Sequence, residues 1–294
     1  MAQVAPPSEG DLAPKAQLEL WKKFDGARAL EVANALISLG PRPAGSDPLN
    51  RARQLVLDDL SQQGWSAVQQ RFTGQLPDGK PIEFCNLIAR LPRWRPARSG
   101  VAVTAYLDTP RTDQFRDVGA TDGAANSAIL VELGRVLAMS SQLGSQVELI
   151  FLDGHSPFQQ LGLNDGLFGS RFYMQTLQIN QNGADIQAVI SLGNVGGRDF
   201  RLNFAPNSDA KLVESFRDGA KFLGFKLEAA NRPFLADHVA FQQAGIPALA
   251  LLDADSPYIN TADDNSERLA ASSLGQTGSL LLYFLCSRTA ATNR

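Results

Sequence analysis

Histidine is scarce in this chain: His155 and His238 are the two among 294 residues. A centre that needs several imidazoles, such as a three-histidine zinc site, is excluded from the start. Cysteine is as rare. Cys85 lies in EFCNLIA and Cys286 in LLYFLCS, apolar surroundings that suit two buried thiols and not a disulfide or a thiolate metal pair. Neither sign of charge dominates, with 27 Lys and Arg against 30 Asp and Glu and a formal net charge of −3. No nucleic acid or anionic membrane is therefore expected as a partner held through bulk charge. No apolar run reaches the roughly 18 residues of a membrane span. The opening MAQVAPPSEGDLAPK has no apolar core behind a basic start, so the expectation is a soluble, cytoplasmic protein.

What is present is an ordinary globular composition, 44% apolar and 19% charged, long enough to bury a sizeable core. Residues 1–14, rich in Pro, Ala and Ser, read as a flexible arm, and 15–290 as one α/β domain. Helical periodicity runs through LAPKAQLELWKKF and ARALEVANALISLG, and a third helix is expected over Pro48–Gln63 after Ser46-Asp47. WSAVQQRFTG and PIEFCNLIARLP read as strands joined by the turn LPDGK. Short apolar runs then alternate with helices. The runs are VAVTAYLD, QVELIFLD, QAVISLG and PALALLD. The helices are AANSAILVELGRVLAM, LFGSRFYMQTL, DAKLVESFRDGAKFLG, the short DHVAFQQAG and the closing SLGQTGSLLLYFLC. Strands of continuous Val, Ile, Leu and Ala belong to a sheet buried on both faces, which makes the fold a three-layer α/β sandwich. The early hairpin makes that sheet mixed. Arg90, Arg93, Arg95 and Arg98 surround Trp94 and are read as a solvated turn between two strands.

Chemistry is concentrated in FLDGHSPF, Phe151 to Phe158, directly after an apolar run. Gly154-His155-Ser156 at a strand end has the outline of a nucleophile elbow, with Ser156 as nucleophile and His238 as base. Two residues oppose it. Phe158 stands where the tight turn needs a small residue, and Pro157 has no N–H to offer an oxyanion. Such a donor contributes about 2.7–4 kcal/mol.

Over residues 86–267 the chain resembles the zinc-dependent aminopeptidase and glutaminyl cyclase family, and the glutaminyl cyclases most of all. The resemblance is carried in order by NLIARLP, VAVTAYLDT, VGATDGAANSAILVELGRVL, VELIFLDGHSPFQQLGLNDGLFGSRF, LADHVAFQQAGIPALALLD and INTADDNSERL. It implies a zinc exopeptidase-like fold, a mixed central sheet of about eight strands flanked by helices, with ligands bound at the strands' carboxyl ends. It also implies which positions carry the chemistry. Asp122 keeps a metal-ligand position. Tyr106 stands where the two-zinc peptidases have a histidine, and His155 and Ser156 where the family has a general acid/base glutamate and a ligand glutamate. Ser191 replaces a strand-end aspartate and Asn260 the late histidine ligand, while Asp237 is kept. Leu161 and Ile259 fall where the cyclases line their pocket with tryptophan. Asp263, Asp264 and Asn265 are expected to cap the final helix, with Glu267 in its first turn.

A catalytic zinc takes about three protein ligands, and of the cyclase-type trio Asp122 alone remains. The expectation is a catalytically dead family member acting as a soluble binding or scaffold protein for an unidentified protein or peptide, with no cofactor. The alternative is a metal-dependent glutaminyl cyclase or aminopeptidase with a site rebuilt around Asp122, His155 and Asp237. A serine hydrolase at Ser156 is the third reading.

Overall fold

The computed structural model describes residues 19–92, 100–114, 116–162, 164–179 and 185–292. The N-terminal arm and most of the arginine-rich turn, including Arg93, Trp94, Arg95 and Arg98, lie outside the described residues. Among the described residues eight strands form one mixed sheet, in the order β1-β2-β4-β3-β5-β8-β6-β7. The strands are β1 (Ser66–Gln75), β2 (Pro81–Arg90), β3 (Gly100–Tyr106), β4 (Val147–Leu152), β5 (Ile186–Gly193), β6 (Asn203–Phe204), β7 (Glu228–Ala229) and β8 (Ala248–Leu252). β1 and β2 form the expected antiparallel hairpin, and β2 joins β4 antiparallel. β4, β3, β5 and β8 run parallel in the middle, so their carboxyl ends meet at one edge.

The central strands are apolar because both faces are covered. Every residue of β3, β4 and β8 is buried. Val101, Val103 and Ala105 of β3 face a large core shared with α1 (Gly26–Ser38), α2 (Asp47–Gln62), α3 (Ala125–Leu137), α6 (Ala210–Phe222) and α8 (Ala271–Thr292). Ala102 and Tyr106, one residue out of phase, face a second core with Tyr173, Met174 and Leu177 of α5 (Phe168–Ile179) and Phe241 of α7 (His238–Gln243). The period of two along β3 thus sorts its side chains between the helix layers, and it sends Tyr106 to the side where the site forms.

Helix starts follow the sequence signals. Asp25 accepts from the N–H groups of Ala27 and Arg28 at the head of α1, and Ser46 accepts from Leu49 N at 3.3 Å at the head of α2. Four points differ from the expectations. The described part of LAPKAQLELWKKF, from Glu19, holds a 3₁₀ turn over Leu20–Lys23 in place of an α-helix. The strand pairs β6 and β7 are two residues each, too short for an alternation to register, and were not expected. The short helix α4 (Ser141–Gly144) is also new. Finally, Asp264 does not cap the closing helix. It is fully buried and accepts from Thr121 N, Thr121 Oγ1 and Asp122 N, while Asn265 caps only the 3₁₀ turn Ser266–Arg268, which holds Glu267.

Candidate functional site

A cleft of about 490 Å³ opens at the carboxyl edge of the parallel strands. Tyr106, Asp122, His155, Ser156, Ser191 and Asn260 all line it, as do Leu161 and Ile259. Asp237 stands directly behind His155. The sequence therefore brought together residues from five connections spread over more than half of the chain.

Asp122 sits in a kinked turn, Ala120–Ala124, that feeds α3. The kink needs glycine on both sides. Gly119 has φ +52°, and a Cβ there would lie 2.2 Å from the Asp122 carbonyl oxygen; Gly123 has φ +108°. Asp264 clamps the turn from the far loop through its contacts to Thr121 and Asp122. Arg42 supports it from beneath. This fully buried guanidinium donates to the carbonyls of Leu36, Gly40, Leu107, Val118 and Gly119, tying the end of α1 to the end of β3 and to the turn. Burial pulls Arg42 down to about 10, against the raising effect of Asp117, Asp108, Asp122 and Asp264.

The loop after β4 is held just as firmly. Asp153 pairs with Arg53 and accepts from Cys85 N at 2.7 Å. Asp108 accepts from the backbone N–H groups of His155 at 3.0 Å and Ser156 at 2.9 Å. These two aspartates end the runs VAVTAYLD and QVELIFLD, and sequence reasoning gave them no role. The His155 ring lies on the Tyr106 ring, with centroids 3.6 Å apart and planes 6° from parallel. Its Nδ1 is 2.6 Å from Asp237 Oδ2. The Tyr106 hydroxyl donates to Asp122 Oδ1. The result is one chain of contacts, Asp122 to Tyr106 to His155 to Asp237.

Burial lowers the His155 imidazole, but Asp237 and, more weakly, Asp122 and Asp108 outweigh it and raise it to about 9. Burial pushes the Asp122 carboxyl up to about 7 in spite of His155 and the Tyr106 hydroxyl. Near neutral pH His155 is therefore an imidazolium donating to Asp237, and it has no free lone pair with which to take a proton.

Residues 86–285 match the model of peptidase family M28. The chain belongs to this family. It is 27% identical over 285 residues to a glutaminyl-peptide cyclotransferase of Bos taurus, an alignment spanning 83% of this chain and 77% of the relative. A solved glutaminyl cyclase from an Acidobacteriales bacterium superposes with a TM-score of 0.79 at 25% identity, covering 99% of this chain and 100% of the other. A Zn-dependent exopeptidase from Parabacteroides distasonis shares the fold with a TM-score of 0.80 at 20% identity, over 89% of this chain and 98% of its own.

Zinc, which the M28 family implies, does not fit the residues present. A metal ligand must be free of protons at the atom that binds. Asp122 is engaged by Tyr106, and His155 is protonated against Asp237. Ser156 is neutral, and Asn260 is an exposed residue in the left-handed region at φ +56°. Among the described residues no three His, Cys, Asp or Glu side chains gather where they could hold a metal ion. Asp122, His155 and Asp237 are linked in series, with the Tyr106 side chain between Asp122 and His155, and do not converge on one point.

The elbow reading fails on placement. Ser156 is buried beside Asp108, and His238 is fully buried outside the cleft, with neither ring nitrogen finding a hydrogen-bond partner among the described residues. Burial lowers His238 to about 4, so it stays neutral and apart from the serine. Arg111 and Arg232, both exposed on the cleft, are residues that sequence reasoning missed, since each is a single cation in a loop with no motif around it.

Proposed function

We propose that this chain is an M28 family member that uses the family cleft to bind a peptide and does not turn it over through a metal. The observation that carries this reading is the closed chain Asp122–Tyr106–His155–Asp237, in which the groups that would meet a metal are spent on each other. The frame of the site supports it as well. The loops that present these residues are clamped by Arg42, Asp108, Asp153 and Asp264, so the cleft is kept as a rigid feature while its donors have changed. A cleft of about 490 Å³ lies within the range of roughly 300–1,000 Å³ typical of ligand sites. Among the described residues no helix is long and apolar enough to cross a membrane.

A second reading rests on the comparisons. Relatives named glutaminyl-peptide cyclotransferase and glutaminyl-peptide cyclotransferase-like protein, both of Bos taurus, favour a metal-dependent cyclase working at the same place. One experiment separates the two. The untagged protein is dialysed against zinc, its metal content is measured by elemental mass spectrometry, and it is assayed on a glutaminyl peptide and an aminopeptidase substrate. The binding reading expects well under one equivalent of zinc and no turnover. About one equivalent, lost in His155→Ala together with measurable cyclisation, would replace it with the second reading.

A further inference from the structure

The lining of the cleft carries two arginines and one aspartate. Arg111, from the connection after β3, and Arg232, from the segment before α7, both face it. Each is laid on an aromatic ring of the cleft's own wall. The Arg111 guanidinium carbon is 5.8 Å from the Phe158 ring centroid, and that of Arg232 is 5.2 Å from Phe234. Arg111 Nη2 also donates to the Ala44 carbonyl at 3.1 Å, which leaves most of its donors directed outward. Among the described residues neither arginine is ion-paired to a carboxylate. The one acidic residue on the described lining, Asp122, lies at the floor and is bonded to Tyr106. His155 brings its own counter-ion in Asp237.

A second hollow has a different balance of charge. Arg198, Arg201 and Arg268 line it together with Asp199, Asp253, Asp255 and Glu267, so its charges compensate each other. On the cleft lining the two arginines face no acidic side chain besides Asp122, although Arg111 also borders a neighbouring hollow lined by Asp113 and Asp117. The same lining carries the apolar side chains of Phe158, Leu161, Phe234, Leu235 and Ile259. Fixed guanidinium forks beside apolar surface suit carboxylate recognition, because the fork matches both oxygens and the stacked ring limits the freedom lost on binding. The same two charges repel a free amino terminus.

We infer that the cleft takes a peptide carrying a carboxylate next to an apolar side chain, with the carboxylate held by Arg111 and Arg232. This deepens the binding function proposed above and rests on it. The carboxylate comes either from a peptide's C-terminus or from an Asp or Glu side chain.

The test is calorimetric titration with N-acetylated Ala-Phe-Glu peptides. One form has a free C-terminus and Gln for Glu, one has Glu and an amidated end, and one has Gln and an amidated end and is neutral. At least one acidic form is expected to bind about tenfold or more tighter than the neutral form, the size of one charge-assisted hydrogen bond, and to weaken as salt is raised. Which acidic form binds identifies the source. Arg111→Gln with Arg232→Gln removes the preference and lowers the melting temperature by no more than a few degrees, since both residues are exposed and Arg111 gives up one hydrogen bond to Ala44. Equal binding of the neutral peptide, a preference that survives the double substitution, or no binding of either acidic form overturns the inference. Turnover of a glutaminyl substrate with zinc would instead overturn the binding reading, so the two failures are told apart.

Discussion

At the scale of single residues, the pair His155–Asp237 ties stability to pH. The imidazole has an ordinary value of 6.5 and is raised to about 9 in the folded chain. A raised histidine contributes stability that is complete below its unfolded value and is lost as pH climbs through its folded value. Asp122 and Asp153, pushed up to about 7, also cost stability as pH rises, but they finish titrating lower. Between about pH 7.5 and pH 9 the loss belongs chiefly to His155 and amounts to about 2 kcal/mol at 1.36 kcal/mol per unit. Urea melts across that window should show the fall, and Asp237→Asn should flatten it. A flat profile in the unsubstituted chain would mean that the imidazole is not held as a cation. Such residue-level facts were only half readable from the sequence. The positions that line the cleft followed from the family resemblance, because each sits beside a motif. What they do there did not, since the stacking of Tyr106 on His155 and its bond to Asp122 depend on the pleat of β3 and on loop geometry. His238 and His155 look alike in the chain, yet burial drives one to about 4 while carboxylates lift the other.

At the scale of elements, Arg42 is the joint between α1, the end of β3 and the kinked turn that carries Asp122. Nothing in GPRPAGS announced this, because a lone arginine in a turn-rich break reads as solvated, and three of its five carbonyl acceptors, Leu107, Val118 and Gly119, come from segments distant in sequence. The long apolar strands were readable for the opposite reason: burial on both faces leaves a continuous signature in the sequence. Replacing Arg42 with Leu leaves several buried carbonyls without a donor, at about 1–3 kcal/mol each before relaxation. A loss of at least about 3 kcal/mol is expected in denaturant unfolding. Arg42→Lys should recover part of it, because an ammonium supplies three donors but cannot span the same fork. If Leu were tolerated within about 1 kcal/mol, the turn would have to be held by Asp264 alone.

At the scale of the whole molecule, the binding reading requires that the fold stand without an ion. Several buried carboxylates around the cleft meet protein partners, while Asp153 Oδ1, Asp237 Oδ1 and Asn194 Oδ1 find none among the described residues. Asp264 accepts from Thr121 and Asp122, Asp108 from two backbone N–H groups, and Asp153 from Arg53 and Cys85. A protein that relied on a metal there would gain about 2.7 kcal/mol from the ion at a free concentration one hundred times its dissociation constant. In a chain of this size that corresponds to a shift of several degrees in melting temperature. The melting temperature is therefore expected to be the same in excess EDTA and in excess zinc. The control is the triple variant Tyr106→His, Ser156→Glu and Asn260→His, which frees Asp122 and returns carboxylate and imidazole donors to the strand ends. Zinc should raise the melting temperature of that variant and not of the parent. A zinc-dependent rise in the parent would show that the chain Asp122–Tyr106–His155–Asp237 opens to admit a metal, and the cleft would then have to be treated as that of an enzyme.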